Sequence, residues 1–220
     1  MTDRFNGWQP EAVEFYERLA ADNRREFWLE HKAFWQEQVR LPFEMLDAEV
    51  RDEFGPLHHF RPNRDVRFSK DKSPYKTHHG AVTEGEGGAM YYVHLDAEGL
   101  FVATGYYQMA RDQLDRFRRA IDDETTGSEL EGLLASLPTT TEVGGSALKR
   151  APKGYPADHP RVELLRHKGL TVSRRYAPAG WLATRGALKR IVDTWRLATP
   201  VNDWLDTNVG PSEDVPDEFR

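Results

Sequence analysis

Apolar positions in the first quarter of the chain recur at intervals of three and four. Over 10–22, "PEAVEFYERLAAD", Ala12, Phe15, Tyr16 and Leu19 fall on one helical face. Pro10 suits the first turn of that helix, where a backbone N–H has no partner to lose. Over 24–40 the stripe widens to Phe27, Trp28, Phe34, Trp35 and Val39, with Asp22 or Asn23 placed to cap the start. Pro42 is expected to break or kink this helix. A third helix over 42–54 carries Phe43, Leu46 and Val50 and ends at Gly55-Pro56.

The period then shortens to two. "DVRFS" at 65–69 and "HGAVTEG" at 79–85 read as short strands. "AMYYVHLDAEGLFVATGYY" reads as a hairpin that turns through Asp96-Ala97-Glu98-Gly99, with Gly99 in the left-handed position. Helical spacing returns at Leu114, Phe117 and Ile121. It returns again at Leu130, Leu133, Leu134 and Leu137, where Ser128 and Glu131 suggest a capping box. Residues 141–160 are loop-rich, with a strand expected at 146–150. A short helix is expected at 160–167, a strand at "LTVSRRY", and a helix through Leu188, Ile191, Val192 and Trp195 that Pro200 ends. The acidic tail, about 208–220, is expected to be loose. Helices, then strands, then helices predict an α+β fold, with a mainly antiparallel central sheet and N- and C-terminal helices packed on it. No repeat or linker divides the 220 residues, so a single domain over 1–220 is expected.

Composition supports a real core: 39% of residues are hydrophobic and 11% aromatic. The chain has 0 Cys, which removes disulfides, thiolate nucleophiles and Cys-ligated metals. The first residues lack the basic start and apolar run of a signal peptide, and no stretch approaches 18 apolar residues, so a soluble cytoplasmic protein with no membrane partner is expected. The net charge of -6 argues against broad electrostatic binding to nucleic acid.

That charge is unevenly placed. Residues 61–79 hold six Lys/Arg against two Asp, and residues 149–168 hold six Lys/Arg against two acids. The first stretch reads "RPNRDVRFSKDKSPYKTHH". The turn signal Ser73-Pro74 suits folding Lys70, Lys72 and Lys76 back toward Arg61, Arg64 and Arg67. Arginine offers a planar fork to carboxylate or phosphate, lysine a point charge, and Tyr75 a hydroxyl. These seven residues are the candidate anion-binding set. Asp65 is a supporting residue that orients cations. His78 and Asp71 are the candidates for moving protons, with neighbouring cations expected to hold His78 neutral. Lys149, Arg150 and Lys153, in a Pro/Gly-rich loop, are expected to close over the same anion. The competing reading is structural: Arg64, Asp65 and Arg67 form ion pairs that hold the sheet to its helices.

Other chemistry finds little support. There is no H-E-x-x-H spacing, P-loop or G-x-S-x-G, so neither metal nor cofactor is expected. Tyr91, Tyr92, Tyr106 and Tyr107 alternate across the hairpin, so one of each pair suits the lining of a cleft.

The run Arg61, Arg64, Asp65, Arg67, Phe68, Asp71, Lys72 and Tyr75 resembles the signature of an uncharacterised family of bacteria and some fungi, known as a domain of unknown function. "ADNRREFWLEHK" and "LKRAPKGYPADHPRVELLRHK" are similar to other recurring stretches of that family. The resemblance implies one domain of about this length and brings no activity, substrate or cofactor. From the residues themselves, the expectation is binding of, and possible enzymatic action on, a phosphorylated or carboxylated small molecule. The alternatives are a nucleic-acid binder that uses both basic segments and an interaction module that docks an acidic partner.

Overall fold

The computed structural model describes residues 4–67, 70–83 and 88–213. It opens with α1 (Pro10–Ala21), α2 (Arg25–Trp35) and α3 (Leu41–Phe54). The regular α2 ends at Trp35, ahead of Pro42. Residues Gln36–Arg40 form a π-helical turn, and Pro42 follows in the first turn of α3. A proline ring collides with the carbonyl four residues back in a regular helix, and the wider turn removes that collision. The start of α2 has no side-chain cap: Arg24 holds the cap position, Asp22 pairs with Arg24, and Asn23 is engaged elsewhere.

The strands are β1 (Leu57–His59), β2 (His78–Thr83), β3 (Met90–Asp96), β4 (Gly99–Tyr106), β5 (Glu142–Gly144) and β6 (Leu170–Tyr176). They form a six-stranded antiparallel sheet in the order β1-β2-β3-β4-β6-β5. The hairpin turns at Ala97-Glu98 and leaves through Gly99 at φ 106, a value that favours glycine. Among the helices are α4 (Arg111–Asp122), α5 (Glu124–Ser136), α6 (Val162–Leu165), α7 (Gly186–Leu197) and α8 (Thr199–Asn208). The fold class is α+β.

Several local expectations are corrected. Asp65–Arg67 form no strand, and Phe68 and Ser69 lie outside the described residues, as do Glu84 and Gly85 of the next expected strand. β1 lacks any sequence signal beyond three residues. The strand expected at 146–150 forms instead at Glu142–Gly144, with only an isolated pairing of Ala147 with His167. Asp123, not Ser128, caps α5 by accepting from the Thr125 and Thr126 amides at 3.0 Å each. Pro200 opens α8 rather than merely ending a helix. Residues 208–213 are not loose: Asp112 of α4 accepts from Ser212 Oγ and the Glu213 amide, each at 2.8 Å. Residues 214–220 lie outside the described residues.

The chain forms two compact units, Met1–Glu84 with Tyr92–Val102 and Arg175–Asp193, and Gly85–Tyr91 with Ala103–Arg174 and Thr194–Arg220. The first is built around aromatic packing. Trp8 meets Phe5 and Phe43 with ring centres 4.9 and 4.6 Å apart, and Trp28 meets Trp35 at 5.2 Å. The indole donors are satisfied: Trp8 Nε1 donates to the Val39 carbonyl and Trp35 Nε1 to the Tyr16 hydroxyl. In the second unit, Phe117 and Ile121 of α4, Leu130 of α5, Leu165, Leu170, Val172, Val201, Trp204 and Leu205 form the core. Arg161 is buried there among Glu124, Ser128 and Glu131, each within 2.8 Å.

Candidate functional site

The basic segment folds as a closed loop in the first unit. Asn63 pairs with Tyr75, the Arg64 amide donates to the Pro74 carbonyl at 2.9 Å, and the Lys76 amide donates to the Pro62 carbonyl at 2.8 Å. The loop is fastened to the helices from outside. Asn23 Nδ2 donates to the Tyr75 carbonyl at 3.0 Å, and the Tyr75 amide donates to Asn23 Oδ1 at 3.1 Å. The Tyr75 ring stacks on Trp28, 4.5 Å between centres and 14° from parallel. Tyr75 is thus a buried anchor.

Inside the loop the acids meet particular cations. Arg67 forks onto Asp65, with Nη2 2.7 Å from Oδ2. Arg64 pairs with Asp71. Asp71 also accepts from the Ser73 hydroxyl at 2.6 Å and the Ser73 amide at 2.9 Å. The Ser73 hydroxyl first, and Arg64 second, hold the Asp71 carboxyl well below the usual carboxylate range. It therefore stays ionised and serves as a turn anchor. Lys72 Nζ donates to the Val66 carbonyl at 2.9 Å. Arg61 and Lys70 are exposed, and Lys76 is half-buried with Nζ 4.8 Å above the Phe60 ring. Among the described residues, Arg61, Lys70 and Lys76 form no ion pair. Burial, and then Arg61, push the Lys76 ammonium below its usual range. Lys149, Arg150 and Lys153 are exposed residues of the second unit.

Beside Lys76 lies a face of β2 and β3 that the period of two makes distinct. His79, Ala81, Val93 and Leu95 point into the core. His79 meets the edges of Trp35 and Phe43 there. His78, Gly80, Tyr92, His94 and Asp96 alternate to the opposite face. The register sets His78 across from Asp96 and Gly80 across from His94. On this face His94 Nε2 lies 3.0 Å from Asp96 Oδ2, and His94 Nδ1 lies 2.9 Å from the Tyr92 hydroxyl. Arg175 Nη1 contacts both Asp96 oxygens at 3.0 Å. Burial pushes the Asp96 carboxyl up, but His94 and Arg175 outweigh it and hold the group below its ordinary value. An ionised Asp96 accepts from Nε2–H, and Nδ1 shares a hydrogen bond with the Tyr92 hydroxyl. Arg175 Nη2 is 3.3 Å from the same Nε2, a longer contact than the carboxylate's.

The neighbours shape the face. Phe101 stacks on His94 at 4.9 Å, and Arg175 lies 5.2 Å from the Phe101 ring centre. A Cβ at position 80 would lie 2.9 Å from the Tyr92 hydroxyl and 3.3 Å from His94 Cβ. Glycine there lets the tyrosine ring lie flat against the strand. His78 is 5.0 Å from His94, ring to ring. Burial first, then His94 and Lys76, push its imidazole down to about 4, so it is neutral at pH 7.

A hydroxyl, an imidazole and a carboxylate joined in this order form a chain suited to proton transfer, with Arg175 steadying the acid. Charge counting missed this set. The signal was the alternation Tyr92, His94, Asp96 in "YVHLD", which puts all three on one face of a strand. Arg175, 79 positions beyond Asp96, had no sequence signal. No three His, Asp or Glu among the described residues group to hold a metal ion. The described cleft of the first unit, about 190 Å³, lies between α1 and α2 and is lined by Glu14, Arg18 and His31 among others, not by the basic segment.

A family described as "Conserved hypothetical protein (DUF2461)" matches residues 11–204, and the chain belongs to that family. No curated protein matches the chain. No helix among the described residues is long and apolar enough to cross a membrane.

Proposed function

We propose that the chain binds a phosphorylated or carboxylated small molecule beside the outer face of β2 and β3, with Lys76 and Arg61 taking the anionic group. One observation carries this reading. Lys76 is half-buried against Phe60 and close enough to Arg61 to feel its charge, and neither cation has a carboxylate partner among the described residues. Two crowded cations without a counter-charge are costly, and a bound anion relieves that cost. Arg64 and Arg67 are spent on Asp71 and Asp65, so they shape the loop rather than hold the ligand.

The chain of Tyr92, His94 and Asp96 favours a second reading, proton transfer on the same ligand. An imidazole held between a hydroxyl and an ionised carboxylate is an arrangement that general acid–base chemistry uses.

Calorimetric titration with a panel of phosphorylated and carboxylated metabolites tests both readings. Binding should weaken about tenfold or more in Lys76→Gln and in Arg61→Gln, as loss of one charged hydrogen bond implies. Arg67→Gln should keep it. His94→Gln should retain binding and lose any turnover of the bound compound. Equal affinity in wild type and Lys76→Gln overturns the binding site. Steep salt dependence with an oligonucleotide would instead favour a nucleic-acid partner.

A further inference from the structure

The outer face of α4 carries a second concentration of positive charge, built by different elements and confined to the second unit. The inner face of α4 buries Gln113, Phe117 and Ile121. Asp115, Arg118 and Arg119 lie on its other faces, and with Lys153, Gly154 and Tyr155 they line a cleft of about 380 Å³. Three cations face one carboxylate. Among the described residues, none of Arg118, Arg119 and Lys153 forms an ion pair, and Arg118 Nε is buried without a hydrogen-bond partner.

The walls are fixed. The Tyr155 amide donates to the Pro152 carbonyl at 3.2 Å, which turns the loop, and Pro152 is buried. The Tyr155 ring meets His159 edge-on at 6.3 Å, and His159 Nε2 lies 3.1 Å from Asp122 Oδ1 at the end of α4. Gly154, at φ 96, has open space where a side chain would begin, so the mouth of the cleft is clear.

We infer that this cleft is a binding site for the phosphate group of a small molecule, with Arg118 and Arg119 as forked donors, Lys153 as a point charge and Tyr155 as a hydroxyl contact. The lining is cationic even with Asp115 and the nearby Asp122 counted, and guanidinium forks suit phosphate oxygens. The cleft is wide enough to hold more than a bare ion, so a phosphate monoester fits it better than inorganic phosphate. This site stands on residues that the first unit does not share, and it does not depend on the function proposed above.

The test is calorimetric titration at low salt with two probes, inorganic phosphate and ribose 5-phosphate. Wild type should bind the monoester saturably, and more tightly than inorganic phosphate. Arg118→Gln/Arg119→Gln should weaken it about tenfold or more, the loss of at least one charged hydrogen bond. Lys153→Gln, at an exposed loop position that leaves the fold untouched, should weaken it severalfold. Lys76→Gln, in the first unit, should leave it unchanged. Unchanged affinity in Lys153→Gln and in the double variant overturns the site, as does a wild type that binds neither probe. Preference for inorganic phosphate over the monoester overturns the assignment of ligand class.

Discussion

Replacing His79 with phenylalanine should flatten the loss of stability that mild acid causes in the wild-type protein. His79 is 2% exposed, with the edges of Trp35 and Phe43 at 5.3 and 4.7 Å and His59 stacked 5.5 Å away. Burial first, and then the charge of His59 and Arg40, push its imidazole down to about 3. In the unfolded chain the same ring titrates near 6.5. Between those values the unfolded state holds the extra proton, so folding stability is complete above about pH 6.5 and drains as the pH falls. One pKa unit is worth about 1.4 kcal/mol, so by pH 5 this one residue removes about 2 kcal/mol from a total of order 5–15. His78, lowered to about 4, adds a loss of similar size by pH 5, and His59, also lowered, adds to it. The depressed carboxylates, among them Asp71, Glu49 and Asp112, drain only at lower pH, near and below their unfolded values. Urea unfolding followed by tryptophan fluorescence at pH 7, 6 and 5 gives the slope directly. In His79→Phe the aromatic slot stays filled, the 3.3 Å contact to His59 is lost, and the drop from pH 7 to 5 should shrink by about 2 kcal/mol. Parallel curves for the two proteins would refute the assignment of a buried neutral imidazole at this position.

Asn23→Ala removes both hydrogen bonds that hold Tyr75 to the helices and should cost about 1–3 kcal/mol in urea unfolding, with Asn23→Asp, which keeps only the acceptor, in between. A cost below about 0.5 kcal/mol would mean that the clasp does not order the basic loop. Gly7→Ala should be among the most damaging single changes. Gly7 sits at φ 82, and a Cβ there would lie 1.9 Å from the Leu182 carbonyl oxygen, so a loss above about 2 kcal/mol is expected in a thermal melt. An unshifted melt would contradict the close approach of those two chain segments.

The parts of the fold that were legible in the sequence are those whose cause is local. α1, α3 and the β3–β4 hairpin each carry their own period and their own turn residue. The errors share a different origin. Asn23 looks like a helix cap because its side chain accepts hydrogen bonds, yet it spends both ends on Tyr75, 52 positions away. Pro200 reads as a stop, but it opens the helix that follows, where a missing N–H costs nothing. Ser128 and Glu131 form a pattern that fits a capping box, but both side chains turn to the buried guanidinium of Arg161. In each case a contact distant in sequence claimed a residue that local rules had assigned.

The candidate site shows the same division. The sum over 61–79, six cations against two acids, is a property of composition. The potential at any point is a property of which cations those acids neutralise. Asp65 and Asp71 remove Arg67 and Arg64, two of the three guanidinium groups in the candidate set. What remains is Lys76 with Arg61, a pair that sequence could not rank above the others, because their weight comes from Phe60 beneath the ammonium and from burial beside β2. The chain of Tyr92, His94 and Asp96 was half-visible, since alternation alone puts the three on one face. Alternation is silent on Gly80, whose missing Cβ lets the tyrosine lie down, and on Arg175, which joins His94 in keeping the carboxylate ionised. A site of this kind is therefore defined less by which charged residues are present than by which of them the fold leaves without a partner.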